Sequence, residues 1–275
     1  MITPPPDKQD GIQRNTIHNE DCFATMKRMA DGMCDIILTS PFYNTNKKQG
    51  KSVTIGNQKA GYSYVRYDSV IDNMTDDEYS DFTERLFVEF GRILNPSGVV
   101  LYNISYGSEN RDGMFKAIYH IIENTPFTIA DVIVWKKKSA FPNSCSPNKL
   151  TRITEFVFVF CLKGQELNFH ANKPITSIRP TGQKAYGNIF NFIEAANNDE
   201  NCPIHKATYS TELCAKLLEI YAKPHSLIYD PFMGTGTTAV ACKNLGHDYI
   251  GSDISASYCE WAQNRLSKIY PSLFD

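Results

Sequence analysis

What this chain lacks narrows it first. None of its 275 residues falls in an apolar run long enough to span a bilayer, and the opening MITPPPDKQDG has no signal-peptide core. Residues 1–13 therefore read as a disordered, proline-bearing leader. The eight cysteines (Cys22, Cys34, Cys145, Cys161, Cys202, Cys214, Cys242 and Cys259) include no CxxC pair, and no Cys/His spacing supports a metal. Several lie in apolar stretches, which reads as buried thiols in a reducing compartment, the cytoplasm. No Gly-Lys-Ser/Thr follows the glycine turn described below, so a P-loop is excluded. No internal repeat is present. Charge of one sign is not in excess either: the net charge of −2 argues against a wholesale polycation. A length of 275 residues is enough to bury a full α/β core with an inserted segment.

What is there centres on Leu227 to Asp253, LIYDPFMGTGTTAVACKNLGHDYIGSD. Leu227, Ile228 and Tyr229 form a β-prone run that stops at Asp230-Pro231, where proline removes a ladder donor. Gly234-Thr235-Gly236 is a turn of small residues that lets backbone pass close to a ligand. Thr237 to Leu245 reads as a helix with Gly246 as its stop, and Tyr249-Ile250-Gly251 as a second strand delivering Asp253. Strand, glycine turn, helix, strand and acid make half of a nucleotide-binding α/β unit. A dehydrogenase fingerprint is the nearest rival, but its third glycine would fall near Ala239, and nothing calls for a pyrophosphate.

DPFMGTGTT with LGHDYIGSD and the following helix resembles the cofactor motif of the S-adenosylmethionine-dependent DNA amino-methyltransferases. A second segment carries the same resemblance. Cys34 to Leu38 is a short apolar strand with Thr39-Ser40-Pro41-Phe42-Tyr43-Asn44 at its carboxyl end, the edge where open α/β sheets collect ligands. Ser40-Pro41-Phe42-Tyr43 is similar to that family's catalytic tetrapeptide: Asp, Asn or Ser, then Pro-Pro, then an aromatic. The chemistry explains these types. An exocyclic amino nitrogen is a poor nucleophile because its lone pair is delocalised into the ring. Ser40 Oγ and the Pro41 carbonyl can accept its two hydrogens, which localises the lone pair and aims it at a sulfonium methyl. Tyr43 would stack on the extruded base. The sequence departs from the pattern at Phe42, where the family has its second proline; this adds bulk and removes rigidity.

Elsewhere, Thr75 and Glu78 form a capping-box pattern opening a helix with Tyr79, Phe82, Leu86, Phe90 and Ile93 inward, terminated by Asn95-Pro96-Ser97-Gly98. Strands are expected at 99–104, 129–135 and 152–161, the last with Glu155 near its start, and helices at 114–122, 211–221 and 257–269. Two stretches are basic and free of acids: Lys47 to Arg66, with Lys47, Lys48 and Lys51, and Lys136 to Arg152, with Lys137, Lys138 and Arg152. Both suit a phosphate backbone. Lys47 to Tyr67 reads as a basic flap with Tyr62, Tyr64 and Tyr67 as stacking groups. Residues 164–203 break the rhythm, with Arg179 and Lys184 as base or phosphate contacts by side-chain type.

The resemblance covers most of the chain. It implies a Rossmann-like α/β fold, with a mixed, mostly parallel seven-stranded sheet, helices on both faces and a permuted motif order. Residues 14–163 would be the catalytic half, 164–203 a target-recognition insertion and 204–275 the cofactor half. S-adenosyl-L-methionine would meet Asp230, Pro231, Phe232, Gly234, Thr235, Gly236, Thr237 and Thr238. Asp253 would take the ribose hydroxyls beside Ile254, Asp21 and Asp35 would lie toward the adenine, and His205, Ala207 and Thr208 toward the methionine end. The implied partner is duplex DNA, without membrane or metal; a cognate restriction endonuclease and a homodimer are partners the resemblance allows. The implied activity is site-specific methylation of a flipped base, leaning to N4 of cytosine with N6 of adenine as the alternative. An RNA base methyltransferase and a DNA-binding protein whose transfer has lapsed remain as other readings.

Overall fold

The computed structural model describes residues 11–44, 54–55, 58–59, 74–106, 110–140, 147–199 and 208–269, with backbone alone for 54–55 and 58–59. In chain order the elements are β1 (Thr16–His18), α1 (Cys22–Lys27), β2 (Cys34–Thr39), β3 (Thr54–Ile55), β4 (Gln58–Lys59), α2 (Asp76–Ile93), β5 (Leu94–Ile104), α3 (Gly113–Asn124) and β6 (Phe127–Lys137). They continue as β7 (Thr154–Leu162), β8 (Ile175–Ile178), β9 (Lys184–Tyr186), β10 (Phe192–Ala195), α4 (Thr211–Tyr221), β11 (Leu227–Asp230), α5 (Thr237–Asn244), β12 (Asp248–Ser252) and α6 (Ala256–Ser267).

The main sheet runs β1-β12-β11-β2-β5-β7-β6-β10 and is parallel throughout except for β7, which pairs antiparallel with both β5 and β6. Among the described residues it therefore has eight strands, one more than the seven expected. Both edge strands, β1 and β10, are too short to leave a period in the sequence, and β10 comes from the segment read as an insertion. That segment thus returns to the sheet after a separate β8–β9 hairpin.

Successive side chains of the central strands point to opposite faces, and both faces are covered, which is why these strands read as unbroken apolar runs. Ile36, Leu38, Val99 and Leu101 pack beneath α4, α5 and α6 with Leu213, Leu217, Ala241 and Ala262. Ile37, Val100, Tyr102 and Phe160 pack beneath α1, α2 and α3 with Met26, Leu86, Phe87 and Ile118. The two halves of the chain thus each supply helices to one face of a shared sheet. Thr75 caps α2 in the expected capping box with Glu78. Asn95 to Gly98 end that helix but also loop out within β5, whose pairing with β2 jumps from Leu94 to Val99. Residues 1–10 of the expected leader lie outside the described residues, while Ile12 is buried in the core. Among the described residues, no helix is long and apolar enough to cross a membrane.

Candidate active site

From the middle of the sheet the chain winds both ways: β11 leads through α5 outward to β12, and β2 leads through α2 outward to β5. The carboxyl ends of β11 and β2 therefore open a crevice at the switch point, where an open α/β sheet holds its ligands. The glycine turn leaves β11 there and Ser40 leaves β2 beside it.

One buried carboxylate joins the two. Asp230 Oδ1 accepts from Thr39 Oγ1 (2.8 Å) and from the Phe232 amide (3.0 Å), and Oδ2 accepts from Thr238 Oγ1 (2.5 Å) and Tyr209 OH (3.1 Å). Asp230 is wholly buried and its acceptor positions are filled from within the protein, so it is a strut and not the cofactor contact expected of it. Burial pushes its carboxyl up to about 6, against the pull of its four donors. Because the folded value exceeds that of the unfolded chain, the folded protein holds this proton more tightly; the contribution to stability is complete below about pH 4 and lost as pH rises through about 6. In urea unfolding, the stability gap between wild type and Asp230→Asn should accordingly narrow by up to about 3 kcal/mol from pH 4 to pH 7. A gap that stays constant over that range would assign Asp230 an ordinary carboxyl.

The turn itself is built by backbone. Gly234 (φ +54°) and Gly236 (φ +83°) both take the left-handed conformation, and a Cβ on Gly236 would meet Ala262 Cβ at 2.7 Å. The Gly234 amide donates to Asp253 Oδ2 and the Ser255 amide to Oδ1, each at 2.8 Å, so the acid at the end of β12 is fixed against the turn. Its own amide donates to the His18 carbonyl (3.1 Å), which ties it to β1. Ile254 beside it is exposed. Asp21 follows β1 at this same edge, capping α1 through the Phe23 amide (2.9 Å). An acid, an apolar side chain and an open backbone turn at one strand edge fit a nucleoside with an amino-acid tail.

Several of the residues expected at the cofactor have partners within the protein or lie elsewhere in the sheet. Thr238 Oγ1 is committed to Asp230, Thr237 Oγ1 accepts from Arg265, and the Thr235 carbonyl does the same, so these threonines brace the turn from inside. Pro231 is also buried. Asp35 stands at the amino end of β2, accepting from the Leu227 amide (2.9 Å), about 16 Å of strand from Ser40. The resemblance implied a place toward the adenine, but the direction of β2 puts Asp35 at the opposite edge. His205 and Ala207 lie outside the described residues; Thr208 is half-buried next to Tyr209.

At the end of β2, Ser40 Oγ lies 3.0 Å from Tyr43 OH and donates to Asn103 Oδ1 at 3.2 Å. Tyr43 OH reaches Asn103 Oδ1 (2.9 Å) and Glu155 Oε2 (3.1 Å). Asn103 Nδ2 is spent on the Phe156 carbonyl (3.0 Å), so its oxygen must face the hydroxyls and can only accept. The two hydroxyl protons are thereby drawn inward, leaving Ser40 Oγ to act as an acceptor toward the crevice. Phe42 is turned away from it. Its ring packs on Tyr79, Phe82 and Phe232 at centroid distances of 5.5, 5.3 and 6.2 Å, and its carbonyl accepts from Tyr79 OH (2.7 Å). The phenylalanine in place of the second proline is thus a buried anchor that joins the two loops, not a wall of the base pocket. Phe232 of the glycine turn shares that aromatic cluster.

Comparison with known proteins matches residues 34–264 to the N6/N4 methyltransferase family model, described as DNA methylase. The chain belongs to this DNA methylase family. As a member it is an S-adenosylmethionine-dependent methyltransferase acting on an amino nitrogen of a DNA base, N6 of adenine or N4 of cytosine. It is 26% identical over 263 residues to the type II methyltransferase M.HinfI of Haemophilus influenzae, covering 94% of this chain and 70% of that one. Among solved structures, the PvuII DNA methyltransferase (cytosine-N4-specific) superposes with a TM-score of 0.67 at 14% identity, covering 96% of this chain and 89% of that one. The M1.HpyAVI–SAM complex does so at 0.57 and 21%, covering 91% and 98%.

The methylase's expected phosphate contacts fare unevenly. The lysine triplet is free of acids in sequence but not in space. Lys136 pairs with Glu194, Lys137 Nζ with Glu155 Oε1 (2.5 Å) and Lys138 Nζ with Glu212 Oε2 (2.8 Å). Hydrogen bonds from Lys138 and Lys216 and from the Ala196 amide hold the Glu212 carboxyl down at about 2. Lys137 and Lys138 are therefore ion-pair members and not open phosphate contacts. Arg152 donates to the Tyr106 carbonyl and lies over the Tyr106 ring at 5.0 Å. Arg179 and Lys184 are exposed on the β8–β9 hairpin, where Arg179 also bonds Gln183 (3.1 Å). Lys47, Lys48 and Lys51 and the three flap tyrosines lie outside the described residues. Among the described residues, no group of three or more His, Cys, Asp or Glu could hold a metal. The six described cysteines are all buried free thiols; Cys145 and Cys202 lie outside.

Proposed function

We propose that the methylase acts on N4 of cytosine in duplex DNA, on a base rotated out of the helix into the crevice between Ser40 and the glycine turn. The observation that carries this reading is the Ser40 hydroxyl, held as an acceptor by Asn103 and Tyr43 at the end of β2, on the same sheet edge as the neighbouring β11 turn where Gly234 is locked to Asp253. Ser40 Oγ and the Pro41 carbonyl take the two amine hydrogens; Pro41 has no amide proton to compete. The Tyr43 ring covers the extruded base while its hydroxyl stays anchored below. Asp253 accepts the ribose hydroxyls, Ile254 covers the adenine and Asp21 lies on its amino side. S-adenosylmethionine supplies an electrophilic sulfonium methyl that carries its own leaving group. Catalysis by this chain is alignment and electrostatics, without a covalent enzyme intermediate.

The Ser-Pro opening supports cytosine, as does the shared fold with a protein named as cytosine-N4-specific. Residues 164–203 would read the DNA sequence through the hairpin, whose exposed Arg179 and Lys184 stand beside exposed Ile175, Ile178 and Tyr186. The type II name of M.HinfI supports a cognate restriction endonuclease as functional partner, and buried free thiols support a cytoplasmic setting. The test is incubation with tritiated S-adenosylmethionine and duplex DNA, followed by hydrolysis to nucleosides. Label in N4-methyldeoxycytidine is expected. Label in N6-methyldeoxyadenosine would move the target to adenine, label only with RNA would change the polymer, and no label would favour the lapsed enzyme.

A further inference from the structure

Transfer of a methyl group to an aromatic amine leaves a nitrogen that must lose a proton. The groups that meet this amine, a serine hydroxyl and a proline carbonyl, cannot keep one at neutral pH. The network behind them leads to one that can. Ser40 Oγ is 3.0 Å from Tyr43 OH, and Tyr43 OH is 3.1 Å from Glu155 Oε2. Asn103, the other partner of both hydroxyls, has its amide spent on Phe156 and offers only a carbonyl. Among the described residues, Glu155 is the carboxylate in hydrogen-bond contact with this network.

Topology explains how it gets there. β7 is the one reversed strand of the sheet, so its first residues lie at the edge where all the other strands end, and Glu155 pairs with Trp135 on β6. Lys137, near the end of β6, meets Glu155 Oε1 at 2.5 Å and lies 4.9 Å from the centre of the Trp135 ring. The Glu155 side chain is 15% exposed and that of Lys137 24%, so the carboxylate is sheltered, compensated and still within reach of water.

We infer that Glu155 is the terminal proton acceptor of the methyl transfer, with Tyr43 as the relay between it and Ser40. The inference rests on the amino-methyltransferase reading above. As the amine lone pair forms the N–C bond and the C–S pair departs with sulfur, an amine proton passes to Ser40 Oγ. The Ser40 hydroxyl turns from Asn103 Oδ1 to the Tyr43 oxygen 3.0 Å away and gives its proton there, and the phenol proton passes to Glu155 Oε2. The acid then returns its proton to solvent past Lys137. Glu155 touches no substrate; it is a positioning residue that acts through Tyr43.

The test is single-turnover methylation of duplex DNA by the full chain, with S-adenosylmethionine and DNA affinities measured in parallel. Glu155→Gln keeps the shape and cannot take the proton: turnover should fall about a hundredfold or more, with both affinities within about threefold of wild type. Glu155→Asp should recover at least a tenth of the activity. Tyr43→Phe keeps the ring and cuts the relay, and should add nothing to the loss in the double variant with Glu155→Gln, since both interrupt one path. Unchanged turnover in Glu155→Gln, losses that add in the double variant, or a fall in affinity equal to the fall in turnover would each overturn the relay. A wild-type chain that methylates no base amine would instead defeat the reading on which it rests.

Discussion

Ser40→Ala should bind S-adenosylmethionine as the wild type does and lose about a hundredfold or more in turnover. The expectation follows from where the side chain sits. Ser40 lies just past the end of β2, and among the described residues its hydroxyl meets only Tyr43 and Asn103. None of the residues that fix the glycine turn depends on it; the strut to Asp230 comes from its neighbour Thr39. Removing Oγ therefore leaves the sheet edge standing and removes one of two acceptors that localise the amine lone pair. The half-buried site tolerates the smaller side chain, since Tyr43 keeps Asn103 and Glu155 as partners. Turnover by radiolabel transfer at saturating cofactor is the check. Unchanged turnover would remove Ser40 from the chemistry.

Asp253→Ala should have the largest effect on the cofactor. Its carboxylate does two jobs at once: it fixes Gly234 and Ser255 through their amides, and it is the acid at the end of the strand that follows the glycine turn. Charge-assisted hydrogen bonds to two ribose hydroxyls are worth about 3 kcal/mol together at the least, or about two orders of magnitude in Kd. Asparagine is no rescue. Its carbonyl can satisfy one amide, but its NH2 then confronts the other, so Asp253→Asn should also bind weakly. Fluorescence titration with S-adenosylmethionine reads both variants. An Asp253→Ala protein with wild-type affinity would place the ribose elsewhere.

The glycine turn and the acid after it were legible because local backbone demands wrote them. Left-handed conformations at Gly234 and Gly236 call for glycine whatever surrounds them, and Asp253 is delivered by the next strand. The same holds for the α2 capping box. What escaped was non-local. Asn103 is a single polar residue in an apolar strand, and only its pairing with Phe156 and nearness to Ser40 give it meaning. The Tyr209 hydroxyl matters because α4 packs beside α5 and lets it reach Asp230, a contact its own segment does not announce. The lysine triplet misled for the same reason, since its glutamates lie 18 to 74 residues away in sequence. The place the resemblance implied for Asp35 fails on the direction of β2, which a local motif does not carry. β1 and β10 were missed because three or four residues show no period, and their place comes from neighbours already in the sheet.

The central claim is a division of labour across one crevice: the turn after β11 and Asp253 hold the methyl donor, and the loop after β2 holds the amine. A calorimetric titration of S-adenosylmethionine into wild type, Ser40→Ala and Asp253→Ala, side by side, tests it most directly. Equal dissociation constants for the first two and a loss of about a hundredfold or more for the third are predicted. If Ser40→Ala loses the cofactor as Asp253→Ala does, or if neither does, the two loops do not divide the work in this way.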